Sequence, residues 1–259
     1  MIKMKKEIGL VLSGGGVKAI AHIGFIKVLL ENNIVPTQVS GTSAGALVAA
    51  LYAQGYEPEK MISFFKQTPL FKFSLYAINK PGFMDSEKYV TFFKKVFPEN
   101  SFESLKYPLI VTATDLISGK LTYFKSGELI KPLIASSALP PIFSPIEINN
   151  TWYCDGGVLN NFPVETVRKK CDIILGSFVN PITTIEKEEI NSSLKLLYRV
   201  YDLGIDANNI KKFKRCNYVF SPVEIKKIGV LDSDAIDKAF EIGYKFGKAE
   251  EKNILKSIA

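Results

Sequence analysis

The sequence predicts an α/β fold with three layers, in which a mostly parallel central sheet lies between two layers of helices. Short apolar runs that are typical of buried strands occur at residues 7–13, 109–116 and 172–178. Segments with helical spacing of apolar residues separate these runs. Strands that alternate with helices along the chain form parallel sheets that are covered on both faces.

The first half of the chain contains two strand–helix units. The strand at 7–13 leads through consecutive glycines into an apolar helix at 17–30. A second short strand ends at "GTSAG", and a helix at 46–54 follows it and stops at Gly55. Further strands are expected at 109–116, 120–124, 146–148, 151–155, 172–178 and 217–222, and further helices at 86–97, 127–135, 192–214 and 233–249.

Composition favours one globular domain over residues 1–259, with the motifs concentrated at about 5–180. Hydrophobic residues make up 47% of the chain and charged residues 23%, and no repeat or low-complexity linker interrupts it. The net charge of +7 suits an anionic partner such as a phospholipid surface, although a lysine-rich surface that only maintains solubility explains it equally well. No nucleic-acid partner is expected, and the oligomeric state does not follow from the sequence.

The lack of a recognisable targeting segment and the cysteine usage predict a cytoplasmic protein. Peripheral contact with an anionic membrane surface is left open. The first apolar run is too short for a signal-peptide core, and no uncharged apolar run reaches the roughly 18 to 20 residues of a membrane span. The three cysteines have neither paired nor metal-ligand spacing, which argues against disulfides. With one histidine, the sequence offers no metal-ligand cluster, and we expect neither a metal nor a cofactor.

A candidate nucleophile lies at the junction of the second strand and its helix. Gly41, Ser43 and Gly45 form the pattern G-x-S-x-G between a predicted strand and a predicted helix. A serine at such a sharp turn is exposed at the end of the sheet, and the flanking glycines remove side chains that would collide with neighbouring backbone. An ordinary serine in a glycine turn is the alternative that the pentapeptide alone leaves open.

The base that would activate this serine is predicted to be an aspartate. The only histidine, His22, lies within the first helix and is expected to be a packed residue. Asp155 follows a predicted strand and precedes Gly156 and Gly157, which allow the backbone to turn sharply towards another loop. Asp115, also near a strand end, is the competing acid.

The glycines of "SGGGVKA" admit three interpretations. Gly14, Gly15 and Gly16 could cradle a phosphate, donate their amides to an oxyanion, or form a tight turn. "GGGVKA" satisfies the G-x-G-x-x-A pattern of dinucleotide-binding proteins, but the acid that holds the ribose is missing from the end of the second strand. Dinucleotide binding is therefore the weaker hypothesis.

Taken together, the motifs resemble those of patatin-like phospholipases, which are serine lipid acyl hydrolases. The resemblance rests on "SGGGVKA", "GTSAG", "ASSALPPIFSP" and "DGG", which occur in the family's order between residues 8 and about 165. It implies a Ser43–Asp155 dyad, an oxyanion hole formed by Gly14, Gly15, Gly16 and Ala44, and a lipid or lysophospholipid ester as substrate. Lys18 would orient the glycine loop or remain solvated, and Ala19 stands where the family usually has glycine. A weakly active regulatory member of the same fold is a further alternative.

A segment rich in aromatic and basic residues, 61–97, follows the second strand–helix unit. Phenylalanines and lysines alternate there, as in a lid over a site or a surface that inserts into a membrane interface. A pair of helices with core phenylalanines and solvated lysines is the alternative.

Overall fold

The computed structural model describes residues 6–68, 70, 77, 81–182 and 184–259, and it confirms the α/β fold with a mostly parallel sheet. Eight strands form this sheet in the order β5-β6-β3-β2-β1-β7-β8, and β4 pairs with β3. The strands are β1 (Ile8–Leu12), β2 (Gln38–Thr42), β3 (Leu109–Asp115), β4 (Lys120–Phe124), β5 (Ile146–Ile148), β6 (Thr151–Asp155), β7 (Ile173–Ser177) and β8 (Tyr218–Phe220). Five consecutive strands of this order, β3-β2-β1-β7-β8, run parallel to one another.

The helices confirm the predicted segments with shifted ends, and two further helices were not predicted. They are α1 (Ala21–Glu31), α2 (Ala44–Ala53), α3 (Pro58–Gln67), α4 (Val90–Val96), α5 (Ile130–Ser136), α6 (Ser193–Ile210), α7 (Ile236–Ala249) and α8 (Glu251–Ile258). Predicted helices at 17–30, 86–97 and 233–249 each begin with a 3₁₀ turn before the α-helix. Helices α3 and α8 are the additional ones.

Alternating side chains of β1 divide the interior into two cores, one on each face of the sheet. Leu10 and Leu12 contact the larger core, which α1, α2 and α7 complete. Val11 points to the opposite face and packs in a smaller core with Phe162 and Phe178. Because a strand with both faces covered must be apolar throughout, the uninterrupted run at β1 follows from its central place in the sheet.

One edge of β3 determines where the functional loops meet. Residues 109–112 of β3 pair with β2, whereas residues 113–115 pair with β6, and β4 occupies the opposite edge along 111–115. Strands β2 and β6 therefore pair with the same edge of β3, one after the other: the pairing with β2 ends at Thr42, and the pairing with β6 follows it. Since β6 is antiparallel to β3, its last residue, Asp155, lies beside the residue that follows β2.

The aromatic segment at 61–97 contributes mainly to the core in its described part. Phe64, Phe65, Phe93 and Phe97 are buried, whereas Phe83 is exposed. Phe71, Phe73, Tyr76, Lys72 and Lys80 lie outside the described residues. The core-helix alternative thus holds for α3 and α4, and the prediction of membrane contact stays untested. No helix in the described ranges combines the length and hydropathy needed to cross a bilayer.

Candidate active site

Ser43 occupies a strained turn between β2 and α2. Its backbone φ is 56° and ψ is −136°, a conformation that side-chain-bearing residues rarely adopt. The flanking glycines allow close backbone approach: a Cβ on Gly41 would lie 2.6 Å from the Gly45 carbonyl, and one on Gly45 would lie 2.3 Å from the Ser13 carbonyl. The turn places Ser43 at the N-cap of α2, at the positive end of the helix dipole.

Asp155 lies within hydrogen-bond distance of this serine. The Ser43 hydroxyl donates to Oδ2 of Asp155 at 2.7 Å, and the Gly157 amide donates to Oδ1 at 2.7 Å. The Asp155 backbone is held as well, since its amide donates to the Ala138 carbonyl and its own carbonyl accepts from Thr114. Gly156 packs against Thr112, where a Cβ would lie 2.4 Å from the hydroxyl oxygen. Both oxygens of a buried carboxylate are therefore fixed.

Burial changes the acidity of this carboxyl group. Desolvation raises the pKa of Asp155 to about 7, although the hydrogen bonds from Ser43 and Gly157 favour the charged form and oppose the shift. A carboxylate with a pKa near neutrality is a stronger base than a solvated one and still ionises near pH 7. This is the acidity that a general base requires in the absence of histidine.

The competing acid, Asp115, serves the turn between β3 and β4. Its carboxylate accepts hydrogen bonds from the amides of Ile117 and Ser118 and from the Ser118 hydroxyl. These hydrogen bonds lower the pKa of Asp115, which is half-buried. Asp115 thus stabilises the β3–β4 connection and lies away from Ser43.

His22 is a packed helix residue, as the sequence predicts. Its ring is fully buried, with Nδ1 2.6 Å from the Ser177 hydroxyl and Nε2 2.8 Å from the Ser13 carbonyl. Burial lowers the pKa of His22 to about 4, so the ring is neutral at pH 7. The histidine links the ends of β1 and β7 and makes no contact with the Ser43 hydroxyl.

The glycine loop lies directly against Ser43, but its three amides differ in their partners. A Cβ on Gly14 would lie 2.8 Å from Cβ of Ser43. The Gly14 amide donates to Oδ1 of Asn161 at 3.0 Å. In this arrangement the amide is not open to an oxyanion, contrary to the expectation from the sequence. Within the described part of the chain, the amides of Gly15, Gly16 and Ala44 have no recorded acceptor. These three are the open donors beside the serine.

Side chains that sequence reasoning missed hold these loops. Asn180 donates to the Gly14 carbonyl at 3.0 Å, so that asparagine side chains bond both the N–H and the C=O of Gly14. The Ser43 amide donates to the Ser136 hydroxyl at 2.9 Å. Asn161 lies close to Asp155 in sequence, within "DGGVLNN", and could have been suspected from that proximity. Ser136 lies within "ASSALPPIFSP", one of the blocks that carry the family resemblance, whereas Asn180 carries no comparable signal.

The remaining positions of "SGGGVKA" to be described are Gly16, Lys18 and Ala19. Gly16 has φ 58°, and a Cβ there would lie 2.1 Å from the Val230 carbonyl, which excludes a side chain. Lys18 and the fully buried Ala19 belong to the 3₁₀ turn at Gly16–Ile20, and Lys18 acts electrostatically on Asp202. In the described ranges no three His, Cys, Asp or Glu side chains converge as a metal site.

Two cavities of different polarity meet at Ser43. The first has a volume of about 580 Å³ and is mainly apolar, with Leu47, Leu70, Tyr89, Phe93, Ile134 and Phe143 among its lining residues. The second, of about 530 Å³, is the more polar of the two and is called the polar cavity below; its lining includes Asp155, Asn161, Asn180, Tyr201 and Asp202. Gly16, Leu139 and Val230 border both cavities. Ser43 therefore lies between a mainly apolar and a more polar surface.

Residues 10–168 match the patatin-like phospholipase family, over a range that includes the glycine loop, Ser43 and Asp155. The chain belongs to this family. The family predicted from the motifs is thereby confirmed, and the predicted enzyme class, a lipid ester hydrolase, is supported.

Relatives of this family are longer than the chain. It is 25% identical to the uncharacterized NTE family protein Rv2565 of Mycobacterium tuberculosis, over 94% of this chain and 46% of that protein. It is 25% identical to lysophospholipase NTE1 of Coccidioides immitis, over 94% of this chain and 17% of that protein. The chain thus spans less than half the length of these relatives.

One solved phospholipase structure shares the fold. Human GIVD cytosolic phospholipase A2, in complex with methyl gamma-linolenyl fluorophosphonate, aligns with a TM-score of 0.50 at 9% identity, over 97% of this chain and 59% of that one. VipD from Legionella pneumophila aligns with a TM-score of 0.48 at 15% identity, over 92% of this chain and 67% of that one.

Proposed function

We propose that this chain hydrolyses acyl esters of lipids through an acyl-enzyme, with Ser43 as nucleophile and Asp155 as general base. The observation that carries the proposal is the 2.7 Å hydrogen bond from the Ser43 hydroxyl to Asp155, at the meeting point of an apolar and a polar cavity. Membership of the patatin-like phospholipase family supports the class of reaction.

Acylation begins with attack of Ser43 Oγ on the carbonyl carbon of the ester. As the C–O bond forms, the hydroxyl proton moves to Oδ2 of Asp155, and the carbonyl oxygen takes up the negative charge. The tetrahedral intermediate then collapses, and Asp155 returns the proton to the alcohol that leaves. The alcohol departs through the polar cavity, and the acyl group remains esterified to Ser43.

The oxyanion of the intermediate is stabilised by backbone amides. Gly15, Gly16 and Ala44 provide the open N–H groups beside Ser43, and the N-terminus of α2 adds its dipole. Gly14 belongs to the support of the loop, because Asn161 takes its amide. Loss of one such donor costs about 2.7 to 4 kcal/mol of transition-state stabilisation in a well-studied hydrolase.

Deacylation reverses the roles of the same groups. Water enters from the polar cavity, Asp155 removes its proton, and the resulting hydroxide equivalent attacks the acyl carbon. Asp155 then returns the proton to Ser43 Oγ, and the fatty acid is released. The Gly157 amide holds Asp155 in one orientation through both steps.

The apolar cavity favours a substrate with an extended acyl chain. Its walls carry leucine, isoleucine and aromatic side chains, which stabilise an alkyl chain by excluding water. Phospholipid, lysophospholipid and simple esters all provide such a chain, and a panel of these substrates at equal concentration identifies the preferred one.

The dinucleotide alternative receives no support from this geometry. A phosphate could not be held by all three glycine amides as they stand, because the Gly14 amide donates to Asn161. The regulatory alternative predicts that Ser43 is inert, so a fluorophosphonate probe tests it directly.

Ser43→Ala is the decisive variant, and the chain contains a matched control. In Ser118→Ala a serine is removed whose hydroxyl also donates to an aspartate, Asp115, at 2.7 Å, but in an exposed turn. We expect Ser43→Ala to abolish hydrolysis of p-nitrophenyl esters and fluorophosphonate labelling, and Ser118→Ala to retain both. Hydrolysis by a folded Ser43→Ala protein at the wild-type rate would refute the proposal.

A further inference from the structure

Helix α6 has its apolar face turned away from the protein. Leu196, Val200, Leu203 and Ile210 follow one another at helical spacing and are 50%, 60%, 42% and 43% exposed. Leu197 extends the same face. We define these five residues as the outer face of α6.

Polar residues are found on the inner side of α6 among the side chains that the structure describes. Tyr201 and Asp202 line the polar cavity beside Asp155, and Asn209 is buried. A surface helix in water normally buries its apolar face and exposes its polar one. Among the described side chains of α6 the polar ones face the cavity and large apolar ones are exposed, so the outer face lacks an apolar cover.

We propose that the outer face of α6 binds the surface of an anionic lipid bilayer and brings the polar cavity to the source of substrate. This inference rests on the proposed function, because a lipid substrate resides in a bilayer. It locates membrane contact on α6, whereas the sequence suggested the segment at 61–97.

The position of the helix supports a bilayer as the occupant. The residues that line the cavity and those of the outer face alternate along the same turns of α6, so the helix forms part of the cavity's rim. Leucine, valine and isoleucine side chains are suited to insertion at the boundary between headgroups and acyl chains.

The charges around α6 favour anionic headgroups at its C-terminal end. Lys211, Lys214 and Arg215 are exposed immediately after the helix, and Lys195 is exposed in its first turn. The acids Glu186, Glu188 and Glu189 are exposed before the helix. We therefore expect the C-terminal end of α6 to approach the headgroups more closely than its N-terminal end.

Vesicle binding tests the inference with a closely matched control. Leu203→Ser removes a leucine from the outer face, and Leu255→Ser removes one that is 41% exposed on α8. We expect wild-type protein to sediment with phosphatidylglycerol vesicles more than with phosphatidylcholine vesicles, and less at high salt. Leu203→Ser should weaken partitioning by about five-fold and Leu196→Ser/Leu203→Ser by at least about ten-fold, with Leu255→Ser unchanged.

Hydrolysis of a water-soluble ester separates membrane binding from catalysis. Leu196→Ser/Leu203→Ser should hydrolyse p-nitrophenyl butyrate at the wild-type rate and lose activity on vesicles. If the double variant is misfolded, equal partitioning of Leu203→Ser and Leu255→Ser overturns the inference. Vesicle binding by wild-type protein with no Ser43-dependent hydrolysis would contradict the proposed function, but it would not contradict the inference that the outer face of α6 binds the bilayer.

Two further results would overturn the inference. In one, wild-type protein fails to bind either type of vesicle, or the double variant binds as tightly as wild type. In the other, light scattering shows an oligomer that the double variant converts to monomer without a change in vesicle binding. The latter would assign the outer face of α6 to a second copy of the chain.

Discussion

Asn161 and Gly14 are joined by a hydrogen bond of 3.0 Å across 147 residues of sequence, from the Gly14 amide to the Asn161 side-chain oxygen. The bond connects the loop that carries the candidate oxyanion donors to the loop that follows Asp155. It therefore couples the position of the donors to the position of the base.

We predict that Asn161→Ala slows catalysis without unfolding the protein. Loss of the bond frees the glycine loop, so that donors must be reordered in each transition state. A buried hydrogen bond of this kind contributes about 1 kcal/mol, and with its unsatisfied donor the loss reaches about 2 kcal/mol, which corresponds to roughly five- to thirty-fold in kcat/KM. Steady-state kinetics on p-nitrophenyl butyrate measure the effect.

The control for this variant is Asn217→Ala, because the Asn217 side chain also accepts from a backbone amide, that of Ile174, at 2.9 Å. That bond lies between β7 and the residue before β8, outside the candidate site. An unchanged kcat/KM in Asn161→Ala would show that the loop is positioned without this bond.

We predict that kcat/KM rises with pH through a midpoint near 7. The pKa of Asp155 is raised to about 7, and only the ionised carboxylate accepts the Ser43 proton. A rate set by His22, with a pKa of about 4, would already be constant at pH 6. His22→Ala should therefore lower stability and leave the midpoint in place, whereas a midpoint that moves with His22 would contradict Asp155 as the base.

Asp155→Asn should be inactive and, above pH 7, more stable than wild type. The folded-state pKa of Asp155 exceeds its unfolded value of about 3.9, so the wild-type protein loses stability as pH rises from about 4 to about 7. The amide does not ionise, and it can accept from Gly157 as the carboxylate does. We expect a gain of roughly 1 to 3 kcal/mol at pH 8, or a few degrees in Tm, by thermal unfolding. A lower Tm at pH 8 than that of wild type would show that the ionised carboxylate stabilises the fold.

We predict that Ser137→Phe shortens the acyl chains that the site accepts. Ser137 lines the apolar cavity, and its hydroxyl donates to the Leu133 carbonyl at 3.1 Å. A phenyl ring at this position would occupy space that a long chain needs. The laurate-to-butyrate ratio of kcat/KM on p-nitrophenyl esters should fall by at least about ten-fold.

Ser137→Ala removes the same hydroxyl without adding volume and should keep the wild-type ratio. Equal losses on laurate and butyrate in Ser137→Phe would indicate a general distortion of the site, and an unchanged ratio would place the acyl chain elsewhere.

Local patterns were sufficient to predict the order along the chain of the strands and of the helices other than α3 and α8, and the turn at Ser43. Apolar runs, helical spacing and glycine positions act over a few residues, and the chain between β1 and α2 shows all three signals. The same patterns could not distinguish a helix that presents its apolar face to the core from one that presents it outwards. Helix α6 was therefore predicted at 192–214 without its orientation, and the phenylalanines of α3 and α4 were open to two interpretations.

The sequence by itself determined the fold class, the family and the residues that we propose as nucleophile and base. Tertiary structure decided which of them meet. Asp155 reaches Ser43 because β6 continues the edge of β3 that β2 leaves, and Asp115 is held in its own turn by Ile117 and Ser118. It also brought the Gly14 amide to Asn161, which lies far away in sequence. Contacts of this range depend on strand order and pairing register, which no local pattern specifies.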